Sequence, residues 1–315
     1  MMRYGCRVYT IVQGRILEWG GLKTRLQGND MAAFVRNISR TVYATIFSRS
    51  MVAIPFILLS ANTQAVEQEI APTAPPPPPL AATPGVPFDV AFGIALTTDY
   101  VSRGITNSNS EPAIQGYVEP SIELPTIGTA YVNVWSSNVD YGEGFEGAEI
   151  DVAAGIRPEF GPLSLDLGYV HYFYTPEHVS PDYGEIFAKA DYNVEDMFTI
   201  GGRVFFAPDF NQSGNTATWV AGGVRVPLPH DFSAYAGIGY QFIDDPDAFE
   251  QLAWMAGISY SWKSLTLDVR YWGTDLSDEG CTARSGFSDG CDDRVVATIS
   301  FDTSWSAVRD WLSDK

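Results

Sequence analysis

From residue 88 to residue 104 the chain reads "FDVAFGIALTTDYVSRG", in which Phe88, Val90, Phe92, Ile94 and Leu96 alternate with Asp89, Ala91, Gly93, Ala95 and Thr97. A period of two is the signature of a β-strand, whose successive side chains point to opposite faces. The sizes are inverted relative to a strand on a soluble core. There the apolar face packs inward and the other carries long polar groups, whereas here the apolar face is greasy and the other is small or acidic. About a dozen such runs of roughly ten residues follow one another to residue 301.

The apolar parity holds Ile150, Val152 and Ile156, then Leu163, Leu165 and Leu167, then Ile200, Val204 and Phe206, and continues through Val220, Val224, Ile238, Phe242, Ile258, Leu267 and Val269 to Ile299 and Phe301. No charge falls on it. The opposite parity mixes Gly93, Gly155, Gly168, Gly201, Gly223, Gly239 and Gly257 with charged groups. A dry sandwich core would leave such charges buried at a cost of several kcal/mol each. A hydrated lumen would not. The expected fold is therefore all-β, a closed antiparallel up-and-down transmembrane β-barrel of about 12 strands, with 10 or 14 as the alternatives. Tyr260 and Trp262, at the end of their run, fit an aromatic girdle.

Connection lengths agree. Short links at 125–128, 160–162, 193–197, 227–231 and 262–264 alternate with long ones at 101–112, 139–147, 175–182, 208–215, 244–250 and 275–293. Twelve strands with a periplasmic amino end place every long loop outside. Pro120 interrupts the second run and predicts a bulge or a shifted strand boundary, because proline has no ladder donor.

The flanks predict four segments. Residues 1–65 read as a leader ending in a cleavable signal peptide: Arg36, Arg40 and Arg49 precede an apolar run from Met51 to Ala61 and a small-residue exit at Ala65. Met1, Met31 and Met51 are the candidate starts. Residues 66–87 hold the tract "APPPPP", an extended periplasmic linker. Residues 88–302 are the barrel. Residues 303–315 form a periplasmic tail, in which Trp305, Val308, Trp311 and Leu312 share one helical face, with an interfacial helix and a frayed end as the two readings.

The segments "DYVSRGITNSNSEPAIQGYVE" (99–119), "WSSNVDYG" (135–142), "EIDVAAG" (149–155) and "LGYVHYFY" (167–174) resemble the TorF porin-like family of proteobacteria, and the likeness extends more loosely over 88–301. Its recurrent Asp-Tyr and Arg-Gly pairs fall on Asp99, Tyr100, Arg103 and Gly104. The resemblance implies an outer-membrane barrel for passive diffusion.

Charge bounds the partners. The net charge is -19, with 19 Lys plus Arg against 38 Asp plus Glu, which argues against nucleic acid. Outer-membrane lipid and small hydrophilic solutes or cations are the expected partners, in the outer membrane of a Gram-negative bacterium. Asp99 and Arg103 are expected at the pore mouth. Glu149, Asp151, Asp166, Glu185, Lys189, Asp191, Arg203, Arg225, Asp268 and Arg270 are expected to line the channel, where opposed charges create a transverse field. The alternative is a salt-bridged, closed lumen in a structural or adhesive barrel. Asp244, Asp245, Asp247, Glu250, Asp275, Asp278, Glu279, Asp289, Asp292 and Asp293 crowd the external loops and predict a cation preference.

No cofactor, metal or catalysis is expected. "DLSDEG" fits no complete calcium loop. A barrel hydrolase would require a histidine with a serine or acidic partner at the rim, and of His171, His178 and His230 only His171 sits near a girdle, without a serine motif. Cys281 and Cys291 are expected to form a disulfide in an oxidising compartment.

Overall fold

The computed structural model describes residues 9–12, 15–18 and 88–313 other than 143 and 196. The proline-rich linker, and the leader apart from one antiparallel hairpin (Tyr9–Val12 with Arg15–Glu18), lie outside the described residues. From residue 88 the chain forms twelve long strands: β1 (Phe88–Thr97), β2 (Ala113–Leu124), β3 (Gly128–Asp140), β4 (Glu146–Arg157), β5 (Leu163–Thr175), β6 (Tyr183–Val194), β7 (Phe198–Ala207), β8 (Ala217–Leu228), β9 (Phe232–Ile243), β10 (Gln251–Trp262), β11 (Leu265–Thr274) and β12 (Arg294–Ser304). Each pairs antiparallel with its sequence neighbours, and β12 returns to pair with β1 from Thr298↔Thr97 to Ser304↔Ala91. The sheet is thus a closed up-and-down barrel of twelve strands. All long connections emerge at one end and all tight turns at the other.

The barrel is inside out. Ile94, Leu96, Ile114, Ile186, Ile200, Ile238, Leu267 and Val295 are all more than half exposed on its exterior, which buries nothing against another protein layer. Inward parity holds the buried set, and it is far from empty: Trp135, Tyr172, Phe187, Phe205, Trp219, Tyr235 and Trp272 are among its most enclosed side chains. The small inward residues have a different purpose from the one their size suggests. A Cβ added at Gly239 would collide with the Trp219 ring, at Gly257 with the Tyr235 ring, and at Gly168 with Phe187. Glycine on one strand is the seat for a large ring from the next, so each ring lies flat against the wall rather than blocking the bore.

Pro120 produces no bulge. Val118↔Val134 and Ser121↔Tyr131 keep one register on either side of it, and between Gln115 and Leu124 only the pairs at Glu119 and Pro120 are missing from the β2–β3 ladder. On its other edge Pro120 still pairs with Val90. The missing N–H removes ladder bonds locally, while the neighbouring strands hold the alignment.

Two helices complete the fold. α1 (Asp278–Ser285) lies in the loop after β11, with Ser277 as N-cap accepting from the Gly280 N–H and Gly286 (φ 84) as the left-handed C-cap. Cys281 and Cys291 are joined in a disulfide that closes this loop. α2 (Trp305–Ser313) follows β12 directly, so the tail is helical, and Trp305, Trp311 and Leu312 are exposed on it. Asp89 of β1 accepts from the Ser306 N–H at 3.0 Å and from its hydroxyl at 2.5 Å, which ties α2 to the start of the barrel.

The glycine seats generate a paired test. Gly239→Ala should lower stability by about 1–3 kcal/mol through overpacking against Trp219, as read from guanidinium unfolding in lipid vesicles. Gly202→Ala, which faces outward with only the Ala221 carbonyl near its added carbon, should leave the midpoint unchanged.

Candidate functional site: the lumen

The first loop is the part of the interior that local sequence could not place. Two short extended pieces, Val101–Ser102 and Ile105–Thr106, pair with each other across a turn at Arg103 (φ 49) and Gly104 (φ 85). Gly104 packs closely against Ala253 and Thr274, whose Cβ atoms would lie 3.0 and 3.3 Å from an added Cβ. From this turn Arg103 reaches across the bore to the wall opposite β1. Its Nη2 lies 2.6 Å from Glu185 Oε2 on β6, its Nη1 donates to Gln241 on β9 at 2.9 Å, and its guanidinium stands 5.4 Å from both the Phe205 and Trp219 rings. Gln251 Nε2 donates to the Arg103 carbonyl at 2.6 Å, and the Tyr172 hydroxyl donates to Glu185 at 2.9 Å. Arg103, expected at the mouth, is a cross-brace at the loop end of the lumen, since Glu185, Gln241 and Gln251 all lie within two residues of the loop-side ends of β6, β9 and β10. The left-handed turn aims it inward, and the buried Glu185 carboxylate holds it there.

Asp99 is likewise buried. It accepts from Arg294 Nη1 at 2.7 Å and from the Thr106 hydroxyl at 2.6 Å, so it anchors the base of the inward loop. Toward the turn end, Arg157 makes a two-pronged contact with Glu119 (2.6 and 2.9 Å) while its guanidinium lies 3.7 Å from the Tyr131 ring. Asp166 sits 3.7 Å from both Arg157 and Lys189 and accepts from the Tyr131 hydroxyl at 2.8 Å. Arg203 pairs with Asp191 at 2.7 Å. Asp268 pairs with Arg270 at 3.1 Å and accepts from the Tyr235 hydroxyl, while Arg225 lies over the Tyr235 ring at 4.6 Å. The Tyr100 hydroxyl donates to buried Glu149 at 3.1 Å, and Asp151 lines the same cavity.

Two spaces lie beside these contacts. A cavity of about 500 Å³ reaches from Pro181, Asn211 and Gly286 at the loop end to Glu119 and Arg157 toward the turns. A second, of about 70 Å³, lies between β1, β2, β11 and β12. Tyr100 and Trp135 border both and form the partition.

Sequence reasoning missed Glu119, Arg157, Gln241, Gln251, Arg284 and Arg294, along with the aromatic inner wall. The wall was findable, since Phe187, Phe205, Trp219 and Tyr235 all occupy the parity opposite the greasy one. Arg284 and Arg294 sit at a loop and a strand start, where alternation carries no information. His171 stands between Tyr169, whose hydroxyl is 2.8 Å from Nδ1, and the Phe173 ring at 4.4 Å. His178 packs near Phe145 in a loop, and His230 occupies a left-handed turn position.

A lumen of paired charges and flat rings inside a lipid-compatible cylinder defines a membrane β-barrel. The chain belongs to a bacterial family described as "Bacterial protein of unknown function (Gcw_chp)", whose model matches residues 81–302. That description supplies no activity, so the diffusion role implied by the TorF likeness is not carried by family membership. No curated protein matches the chain. Among solved structures, similarity is found to the KdgM porin (10% identity, 68% of this chain and 98% of that one, TM-score 0.42) and the NanC porin (12%, 68% and 97%, 0.42). An outer-membrane channel from Pseudomonas putida F1 is similar at 10% identity, over 70% of this chain and 96% of that one, with a TM-score of 0.43.

The brace yields a measurable coupling. Arg103→Met should destabilise the barrel by about 3–5 kcal/mol, because it strands a buried carboxylate. Combined with Glu185→Gln, it should cost less than the sum of the two single changes in a double-mutant cycle. Additive costs would mean that the pair does not interact.

Proposed function

We propose that the protein is a porin-like channel of a Gram-negative outer membrane, a non-catalytic barrel that passes small hydrophilic solutes by diffusion through a narrow path. The exterior supports the membrane: an apolar surface of this extent is stable only against hydrocarbon. The observation that carries the channel reading is the cavity of about 500 Å³ that runs much of the barrel's height beside the Arg103 brace. Twelve strands set a bore between the filled eight-stranded and the open sixteen-stranded cases, and the inward loop narrows it further. Glu149, Asp151 and Lys189 line this path beside the Arg103–Glu185 pair, with Asp166 3.7 Å from Lys189. The ion pairs Arg203–Asp191 and Asp268–Arg270 shape the surrounding field.

The acidic external loops supply the finer reading, a cation preference through enrichment of cations at the entrance. Residues 1–65 act as the leader that delivers the chain for export, and 66–87 as its spacer. α2 lies in the periplasmic interface with Trp305, Trp311 and Leu312 against lipid. A second reading, the closed structural barrel, draws on the pairing of the lumen charges.

Planar-bilayer recording of the purified protein tests both. Small unitary currents are expected, larger after Arg103→Ala removes the brace, with a reversal potential in a salt gradient whose sign marks cations as the preferred carriers. Silence of both the wild type and Arg103→Ala, in preparations that show heat-modifiable migration, selects the closed barrel. A reversal potential of opposite sign overturns the cation preference alone.

A further inference from the structure

We propose that the loop end of the larger cavity is a binding site for a small planar organic carboxylate, with the Arg284 guanidinium as its anion receptor and Tyr183 and Phe210 as its flanking rings. Four cations line that cavity: Arg103, Arg157, Lys189 and Arg284. Three of them have carboxylate partners, Glu185 at 2.6 Å, Glu119 at 2.6 Å and Asp166 at 3.7 Å. Arg284 is the exception. Its Nη1 donates to the Phe249 carbonyl at 3.1 Å and its guanidinium stands 5.5 Å from the Phe210 ring. Among the described residues, no carboxylate pairs with it.

A carbonyl dipole and a ring face steady a guanidinium without neutralising it. Burial accordingly pulls Arg284 down to about 10, with Tyr183 acting in the opposite direction and the like charge of Arg103 in the same one. It stays charged at neutral pH. A partly desolvated cation with most of its five donors still available is relieved by an anion that accepts two of them side by side, and a carboxylate has that shape.

The surroundings define the rest of the ligand. Tyr183 meets Phe210 edge-on at 5.2 Å and Tyr172 at 4.8 Å, and Tyr141 and Tyr174 stand 6.4 Å apart on the adjoining wall. A flat, partly apolar body packs against such rings better than a hydrated inorganic anion does. A volume of about 500 Å³ lies in the range of small-molecule sites, about 300–1,000 Å³. The receptor is also pre-positioned: Arg284 is in the last turn of α1, whose end is fixed by the Gly286 N–H donating to the Thr282 carbonyl at 3.0 Å and whose loop is closed by Cys281–Cys291.

The inference rests on the channel reading only in that solute must reach the cavity from the loop side. Calorimetric titration of the detergent-solubilised full chain with benzoate at low salt is the test. Saturable binding is expected, weaker by about tenfold or more for acetate, which lacks the ring, for benzyl alcohol, which lacks the charge, and for Arg284→Gln. Equal binding of acetate overturns the planar-ligand assignment, and undiminished benzoate binding by Arg284→Gln overturns the receptor. Should Arg284→Gln lose heat-modifiable migration, Phe210→Leu takes its place: it should weaken benzoate and leave acetate unaffected, and unchanged benzoate affinity sinks the proposal. Conductance measured on the same samples separates the two readings, because a conducting barrel that ignores benzoate rejects this site alone, and a silent barrel that binds it rejects the channel alone.

Discussion

Closure of the hydrogen-bond ladder into a ring is the constraint from which the other features follow. In hydrocarbon an unpaired backbone group costs several kcal/mol, so a sheet that faces lipid can have no edge. Twelve strands meet that demand when β12 pairs with β1, and the strand number fixes the bore. A bore of this width is too wide to be filled by one layer of ordinary side chains and too narrow to stay open with rings pointing to its axis. Glycine seats resolve the conflict by laying Trp219, Tyr235 and Phe187 against the wall. The space recovered holds the ion pairs and the inward loop.

Those ion pairs are arranged as local couples, not as separate banks of like charge. Arg157 with Glu119 and Arg203 with Asp191 join residues on nearby strands, and Asp268 with Arg270 joins two residues of β11. Their fields cancel at a distance and survive only close to the wall. The Arg103–Glu185 pair differs because it spans the bore. Removing one member of a wall pair perturbs a patch, whereas removing the brace changes the cross-section.

The alternation of Phe88 through Leu96, repeated to Phe301, was enough to read the barrel class and the strand count, and the alternating connection lengths the end of the barrel at which each connection lies. The reason is physical: lipid imposes one rule on every strand, and a rule applied twelve times is visible without knowledge of tertiary contacts. Interior detail obeys no such common rule. Gly239 reads as empty space until Trp219 is known to lie beside it, and the register that joins them is a property of two strands together. Arg103 is harder still, since its partners Glu185, Gln241 and Gln251 are far away in sequence. Only the loop's left-handed turn, hinted at by the Arg-Gly step, signals a reversal, and nothing local says that the reversal points inward. Pro120 shows the opposite error. A local rule foresaw a bulge or a shifted strand boundary, and two well-aligned neighbours kept the strand running through it in register.

The clasp between α2 and Asp89 bears on how the barrel is assembled. The β12–β1 seam joins the two ends of the barrel sequence through pairs from Thr298↔Thr97 to Ser304↔Ala91, and Ser306 adds its contact to Asp89 just beyond them. The cylinder is consequently a structure whose twelfth strand decides whether the first has a partner, and without it the strands are an open ribbon with two adhesive margins.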